Sequence, residues 1–160
     1  MKRLSALLIV IIAVFTGCTI TSVDDYYNTT EKTGNNKITV TINCDTAVNY
    51  DNKIRKNGTI LENYTVYLED NSTVFDALKT ACKENKIQFE YQGSDSSVYI
   101  EGIDYLYEFD CGELSGWEFS VNDEFKNVGC NNCPVKNGDK VEWLYTCDLG
   151  ADIGNGYAGE

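Results

Sequence analysis

Histidine is absent from the 160 residues, and proline occurs once, as Pro134. Without an imidazole the chain lacks the commonest general base and the commonest metal ligand, and the reading is therefore that it is not an enzyme. A serine near two glycines does occur in "GELSG", Gly112 to Gly116, but it stands one position off the G-x-S-x-G nucleophile pattern. Asp110 and Glu113 form a nominal carboxylate pair whose separation nothing in the sequence fixes. Basic residues are also scarce: 13 Lys and Arg face 25 Asp and Glu, a formal net charge of −12. Such a chain repels nucleic acid and anionic membrane surfaces. Internal repeats and low-complexity tracts are missing. No apolar run reaches the roughly 20 residues of an ordinary spanning helix.

What is present begins with an address. Met1-Lys2-Arg3 is a short basic start, and Leu4 to Phe15 is an almost unbroken apolar run. Basic start, short apolar core and small residues before a cut describe a secretory signal. Phe15-Thr16-Gly17-Cys18 resembles a bacterial lipobox, in which a bulky residue and two small ones precede a cysteine. The resemblance implies a lipoprotein signal over 1–17 and acylation of Cys18. The expected location is the extracellular face of the bacterial cell membrane, with membrane contact through the lipid alone. Loss of Lys2 and Arg3 leaves 11 basic against 25 acidic residues, a net charge of −14. Residues 18–36, rich in Thr, Asn and Asp and without hydrophobic periodicity, are expected to be a disordered tether.

Seven cysteines less Cys18 leave six: Cys44, Cys82, Cys111, Cys130, Cys133 and Cys147. An even set in a small exported domain reads as a disulfide framework, of which six cysteines allow 15 connectivities. Cys130 and Cys133 form a CxxC just ahead of Pro134. A zinc site would need two further thiolates, and no second CxxC is present.

Residues 37–150 read as one domain. "KITVTINCD", Lys37 to Asp45, alternates Ile38, Val40, Ile42 and Cys44 against polar residues, which predicts a strand. Thr46 to Lys56 reads as a polar connection. A turn at Asn57-Gly58 then precedes one short strand and a second around Thr65 to Glu69. Thr73 can cap a helix over Thr73 to Asn85, with Asp76 in its first turn and Val74, Leu78, Ala81 and Cys82 at helical spacing. Strands are expected at Ile87 to Tyr91, in "SVYIEGI" after a Gly93 to Ser96 turn, and at Tyr105 to Asp110. "GWEFSVNDEF" reads as a hairpin about Asn122-Asp123. After a turn at Asn137-Gly138, the final strand puts Val141, Trp143 and Tyr145 on one face. Residues 151–160 read as an acidic tail. Periodicity by itself supports a mostly β domain with one packed helix. The order of elements is that of a β-grasp-like α+β domain: a mostly antiparallel sheet with one packed helix and parallel first and last strands.

Three blocks, "TVFDALKTAC", "GWEFSVNDEFKNVGC" and "VKNGDKVEWLYT", resemble the transcobalamin-like C-terminal domain family. The shared pattern is a Gly-Trp-x-aromatic-x-Val-Asn hairpin, an Asn-x-Gly, and a Gly-Asp turn leading into an aromatic last strand. In that family's cobalamin carriers, such a domain closes over a corrin held by an α-helical barrel. The resemblance therefore implies a ligand-binding role for Trp117, Phe119, Phe125, Asn127, Gly129, Trp143 and Tyr145. This chain carries no barrel pattern, and it has Cys130-Asn131-Asn132-Cys133 where the family has small residues and a tyrosine. In a β-grasp-like sheet, parallel first and last strands would bring Cys44 to Cys147. Cys130–Cys133 and Cys82–Cys111 would be the remaining pairs.

The expectation is a surface-anchored, non-catalytic binder of a small soluble ligand, cobalamin-like or another corrinoid, feeding uptake through a membrane transporter. It needs no cofactor of its own and no nucleic acid. Two alternatives stand beside it. One is a calcium module using oxygens near Asp148 and Asp152, although "DLGADIGNG" does not match an EF-hand loop. The other is a passive adhesion or spacer module. A binder needs aromatics beside a pocket, whereas a spacer hides them all.

Overall fold

The computed structural model describes residues 34–54, 56–94 and 97–156. The signal, Cys18 and most of the tether lie outside the described residues. Among the described residues no helix is long and apolar enough to cross a membrane.

The alternation read from Ile38 to Cys44 forms strand β1, Asn36–Asn43, whose Ile38, Val40 and Ile42 are fully buried. It lies between β2, Thr59–Leu68, which is antiparallel to it, and the last strand β8, Lys140–Thr146, which is parallel to it. Strand β6, Gly116–Val121, continues the sheet antiparallel to β8, and the two-residue β7, Glu124–Phe125, closes the edge, for the order β2-β1-β8-β6-β7. A second, antiparallel sheet contains β3, Phe89–Ser94, β4, Ser97–Ile103, and β5, Leu106–Tyr107. The fold is α+β, with the first and last strands paired in parallel as expected.

The main helix spans Val74–Asn85 and is the second of two α-helices among the described residues. Thr73 caps it through a reciprocal capping box: its Oγ1 accepts the Asp76 N–H, and the Asp76 carboxylate accepts the Thr73 N–H at 2.9 Å. Its stripe of Val74, Ala77, Leu78, Ala81 and Cys82 is buried against β1 and β2.

Three departures from the sequence reading have local causes. The connection after β1 contains a helix, Asp45–Tyr50 (α1; the main helix is α2). Ala47 is fully buried there, and the Thr46 hydroxyl donates to the Tyr145 carbonyl, so docking on β8 overrides a polar composition. Residues 59–68 form one strand rather than two. Its interruption is a bulge: Val40 pairs Tyr64 and Ile42 pairs Leu61, and between them Asn63 adopts a φ of 48° and donates its N–H to Thr41 Oγ1. The strand expected over Tyr105 to Asp110 is regular only at Leu106–Tyr107, because Asp104, Tyr105 and Phe109 all take positive φ.

The two sheets meet through polar tips of buried aromatics. Trp117 Nε1 donates to the Leu106 carbonyl at 2.9 Å, and the Tyr145 hydroxyl donates to the Tyr107 carbonyl at 2.6 Å. Burial, the largest cause, pushes the Tyr145 hydroxyl well above its ordinary value. Its folded-state value exceeds the unfolded one, so its contribution is complete below about pH 10 and is lost as pH rises further, where the unfolded chain gives up the proton first. Unfolding midpoints should therefore fall with rising alkaline pH, and the slope should be shallower in Tyr145→Phe. An identical slope in the two proteins would remove Tyr145 as its source.

Candidate ligand-binding cavity

The expected Asn122-Asp123 turn is present, with φ of 54° and 65° at the two residues, the pair of positive values a tight primed hairpin requires. Asn122 also accepts the Lys140 N–H at 3.0 Å and donates to Asp139, which ties the hairpin to the turn entering β8. Strands β6 and β8 are thereby held in a register that pairs Phe119 with Trp143 and Trp117 with Tyr145. Both pairs are in ring contact, with centroids 5.4 Å and 5.1 Å apart.

A cavity of about 210 Å³ opens over this aromatic surface. Trp117, Phe119 and Trp143 line it from the main sheet, and Val98, Tyr99 and Ile100 from β4. Phe125 and Lys126, then Val128, Gly129 and Cys130, line it from β7 and the following loop. Glu118 and Asn155 complete the lining; the Asn155 amide donates to the Glu118 carboxylate at 2.7 Å. The chain beyond Gly150 thus folds back through a 3-10 turn at Ala151–Ile153 instead of trailing away from Ile153 onward. Residues 157–160 lie outside the described residues.

Five of the seven residues singled out by resemblance line this cavity: Trp117, Phe119, Phe125, Gly129 and Trp143. Asn127 is exposed between two lining residues without being one. Tyr145 belongs to the core, 1% exposed, with its hydroxyl bonded to the Tyr107 carbonyl and to Ser115 Oγ. Sequence reasoning missed the β4 wall, Lys126, Glu118 and Asn155. The only available signal was the strand "SVYIEGI", and alternation does not tell which sheet a strand will face.

One atom in the site stands out energetically. Trp143 is 2% exposed, and its Nε1 is a buried donor with no hydrogen-bond partner among the described residues. An unmet buried donor costs roughly 1–3 kcal/mol, and such groups are uncommon in folded proteins. Trp117, its counterpart on β6, does have an acceptor.

Charge at the mouth is mixed. Lys126 pairs with Glu124, and this pairing holds the Glu124 carboxyl below the usual range. Tyr99 donates to the Glu108 carboxylate at 2.6 Å; burial first, then this bond, raises its hydroxyl well above the ordinary value, so it stays a neutral donor. Burial pushes the Cys130 thiol up to about 11, which disfavours a thiolate at neutral pH. A second hollow of about 230 Å³ shares Tyr99, Trp117 and Glu118 with the first and extends the surface past Phe109, Leu114 and Leu149.

The alternative metal residues have other duties. The Asp152 carboxylate accepts the Cys147 N–H at 2.8 Å and the Thr146 hydroxyl, while Asp148 is exposed. Among the described residues no group of three or more Cys, Asp or Glu converges to hold a metal ion. Asp110 accepts the Tyr107 N–H at 2.8 Å and so shapes the loop before β6.

Residues 71–146 match the family described as Domain of unknown function (DUF4430). Among solved structures, haptocorrin in complex with Cbi is similar at 21% identity and a TM-score of 0.51, over 74% of this chain and 26% of that one. A candidate metal-binding protein from Ruminococcus gnavus ATCC 29149 is similar at 18% identity and a TM-score of 0.48, over 70% of this chain and 97% of that one. No curated protein matches the chain. The likeness to haptocorrin is one of fold, and this chain spans about a quarter of that protein's length.

Proposed function

We propose that this chain is a non-catalytic binder of a small soluble ligand, held at the bacterial surface by a lipid on Cys18. The observation that carries the reading is the Trp143 Nε1–H, without a partner among the described residues, in a residue that lines an aromatic cavity. A buried donor that the protein leaves unmet is a ready partner for an acceptor on a ligand. The surrounding rings suit a flat or conjugated portion of that ligand.

Size refines this. At about 210 Å³ the cavity is smaller than the roughly 300–1,000 Å³ of sites that enclose a whole drug-sized molecule. It suits one edge or one substituent of a larger ligand, with the adjoining hollow taking more of it. A cobalamin-like corrinoid is the class that the transcobalamin-like resemblance implies, and a protein of similar fold has been solved with Cbi. The absence of histidine and the mixed charge at the mouth favour capture over chemistry. A tethered domain that takes up a ligand near a membrane transporter would feed uptake.

Titration of the full-length protein with corrinoids, following the fluorescence of its two tryptophans, tests the reading. Saturable quenching is expected. No response to corrinoids or to other conjugated ring systems would remove it. The anchor has a separate test: Cys18→Ala should move the protein from the membrane fraction into the medium. Retention in the membrane fraction at the original level would end the lipoprotein reading.

A further inference from the structure

Parallel pairing of β1 and β8 brings Cys44 and Cys147 to the same end of the sheet, but out of step. Asn43 pairs with Leu144, so the register carried one residue further sets Cys44 opposite Tyr145, two residues short of Cys147. At about 3.3 Å per residue that is an offset of about 7 Å along the strand. A third thiol fills the gap. Gly116 pairs with Thr146 where β6 meets the end of β8, so the loop before β6 runs beside the residue that follows Thr146.

Cys111 stands in that loop. Its N–H donates to Ser115 Oγ at 3.1 Å, and the Tyr145 hydroxyl approaches the same oxygen at 3.0 Å. The Leu149 N–H donates to the Leu114 carbonyl at 2.9 Å, which fastens the two segments together on the far side. Within this frame the Cys111 and Cys147 side chains are neighbours, close enough that each bears on the other's thiol after burial, which raises both. Cys111 is 2% exposed, and Cys44, fully buried, lies near it. Elsewhere, Cys82 is carried by α2 to the vicinity of Asp104, and Cys130 and Cys133 flank one 3-10 turn.

We infer that Cys111 and Cys147 are the site of a disulfide, which fastens the loop before β6 to the end of β8 and leaves Cys44 outside the bond. This pairing differs from the Cys44–Cys147 pair expected from parallel first and last strands and from the Cys82–Cys111 pair left as part of the remainder. The oxidant is a disulfide, either a small molecule such as oxidised glutathione or an exported dithiol oxidase. The sulfur–sulfur bond of the oxidant breaks, and one forms between Cys111 Sγ and Cys147 Sγ. The two thiol protons end on the two sulfurs of the oxidant, which takes up the two electrons. Side-chain rotation brings the two sulfurs to the bonded separation of about 2.05 Å. Neither Cys111 nor Cys147 lines the cavity, so the bond fastens the end of β8 without entering it. The inference is independent of the ligand reading.

Full-length protein exposed to oxidised glutathione, alkylated unfolded without reductant and digested, should yield a peptide joining Cys111 to Cys147. That peptide should persist in Cys44→Ser and vanish in Cys111→Ser. A Cys44–Cys147 or Cys82–Cys111 peptide in its place, or Cys111 and Cys147 both fully alkylated, overturns the assignment. The wild-type map decides the matter even if Cys111→Ser fails to fold.

Discussion

Replacing Trp143 with alanine should cost about 3–5 kcal/mol, the usual range for removing a buried tryptophan or phenylalanine. Trp143 is among the largest fully buried side chains; it contacts Phe119 and sits in the central strand of the five. Total stabilities of single domains are about 5–15 kcal/mol, so this variant should unfold at a much lower urea concentration, with an unchanged denaturant slope. The informative companion is Trp143→Phe. It keeps a ring against Phe119 but deletes a buried side-chain donor that lacks an acceptor among the described residues. Deleting an unmet donor offsets part of the lost packing, so Trp143→Phe should retain much more stability than Trp143→Ala. Its affinity for a bound ligand should nevertheless fall about tenfold, the equivalent of one hydrogen bond of about 1.4 kcal/mol. An unchanged affinity would show that Nε1 is an unused donor and not a ligand contact.

Phe125→Ala should have the opposite profile. Phe125 is half-buried in a two-residue edge strand, yet it lines the cavity. Stability should change little, by under about 1 kcal/mol, as at positions away from the core. Binding should suffer by about 2 kcal/mol, close to thirtyfold, as expected when an aromatic anchor at the rim of a pocket is removed. Calorimetry and tryptophan quenching on folded protein, checked by unfolding curves, separate the two effects. If Phe125→Ala and wild type bind equally, the ligand does not use this cavity; silence in every titration would leave the spacer reading. A thermal shift driven by calcium with no response to organic ligands would favour the metal module.

Much of the fold was legible because the relevant signals are local. Alternation from Ile38 to Cys44 and from Val141 to Tyr145 marks two half-buried strands, and both have the expected faces inward. Thr73 and Asp76 begin α2 through bonds spanning three residues. Asn122-Asp123 reverses the chain because both residues tolerate positive φ. The resemblance singles out seven residues, and five of them line one cavity.

What the sequence by itself determined, then, is where β1, β8, α2 and the β6–β7 hairpin lie and which of their faces seek burial. Only the tertiary structure decided what each face meets. Tyr145 and Trp143 share one face of one strand, yet the Tyr145 hydroxyl finds Tyr107 and Ser115 and becomes core, while Trp143 lines a cavity and its Nε1 has no acceptor among the described residues. Val98 to Ile100 and Asn155 joined that site from segments with no mark of function. Register set Cys44 two residues, about 7 Å, out of step with Cys147 and brought the loop that carries Cys111 beside it instead. Periodicity specifies an orientation about one strand's own axis; register and cross-sheet contact depend on residues far along the chain, and only their packing together fixes them.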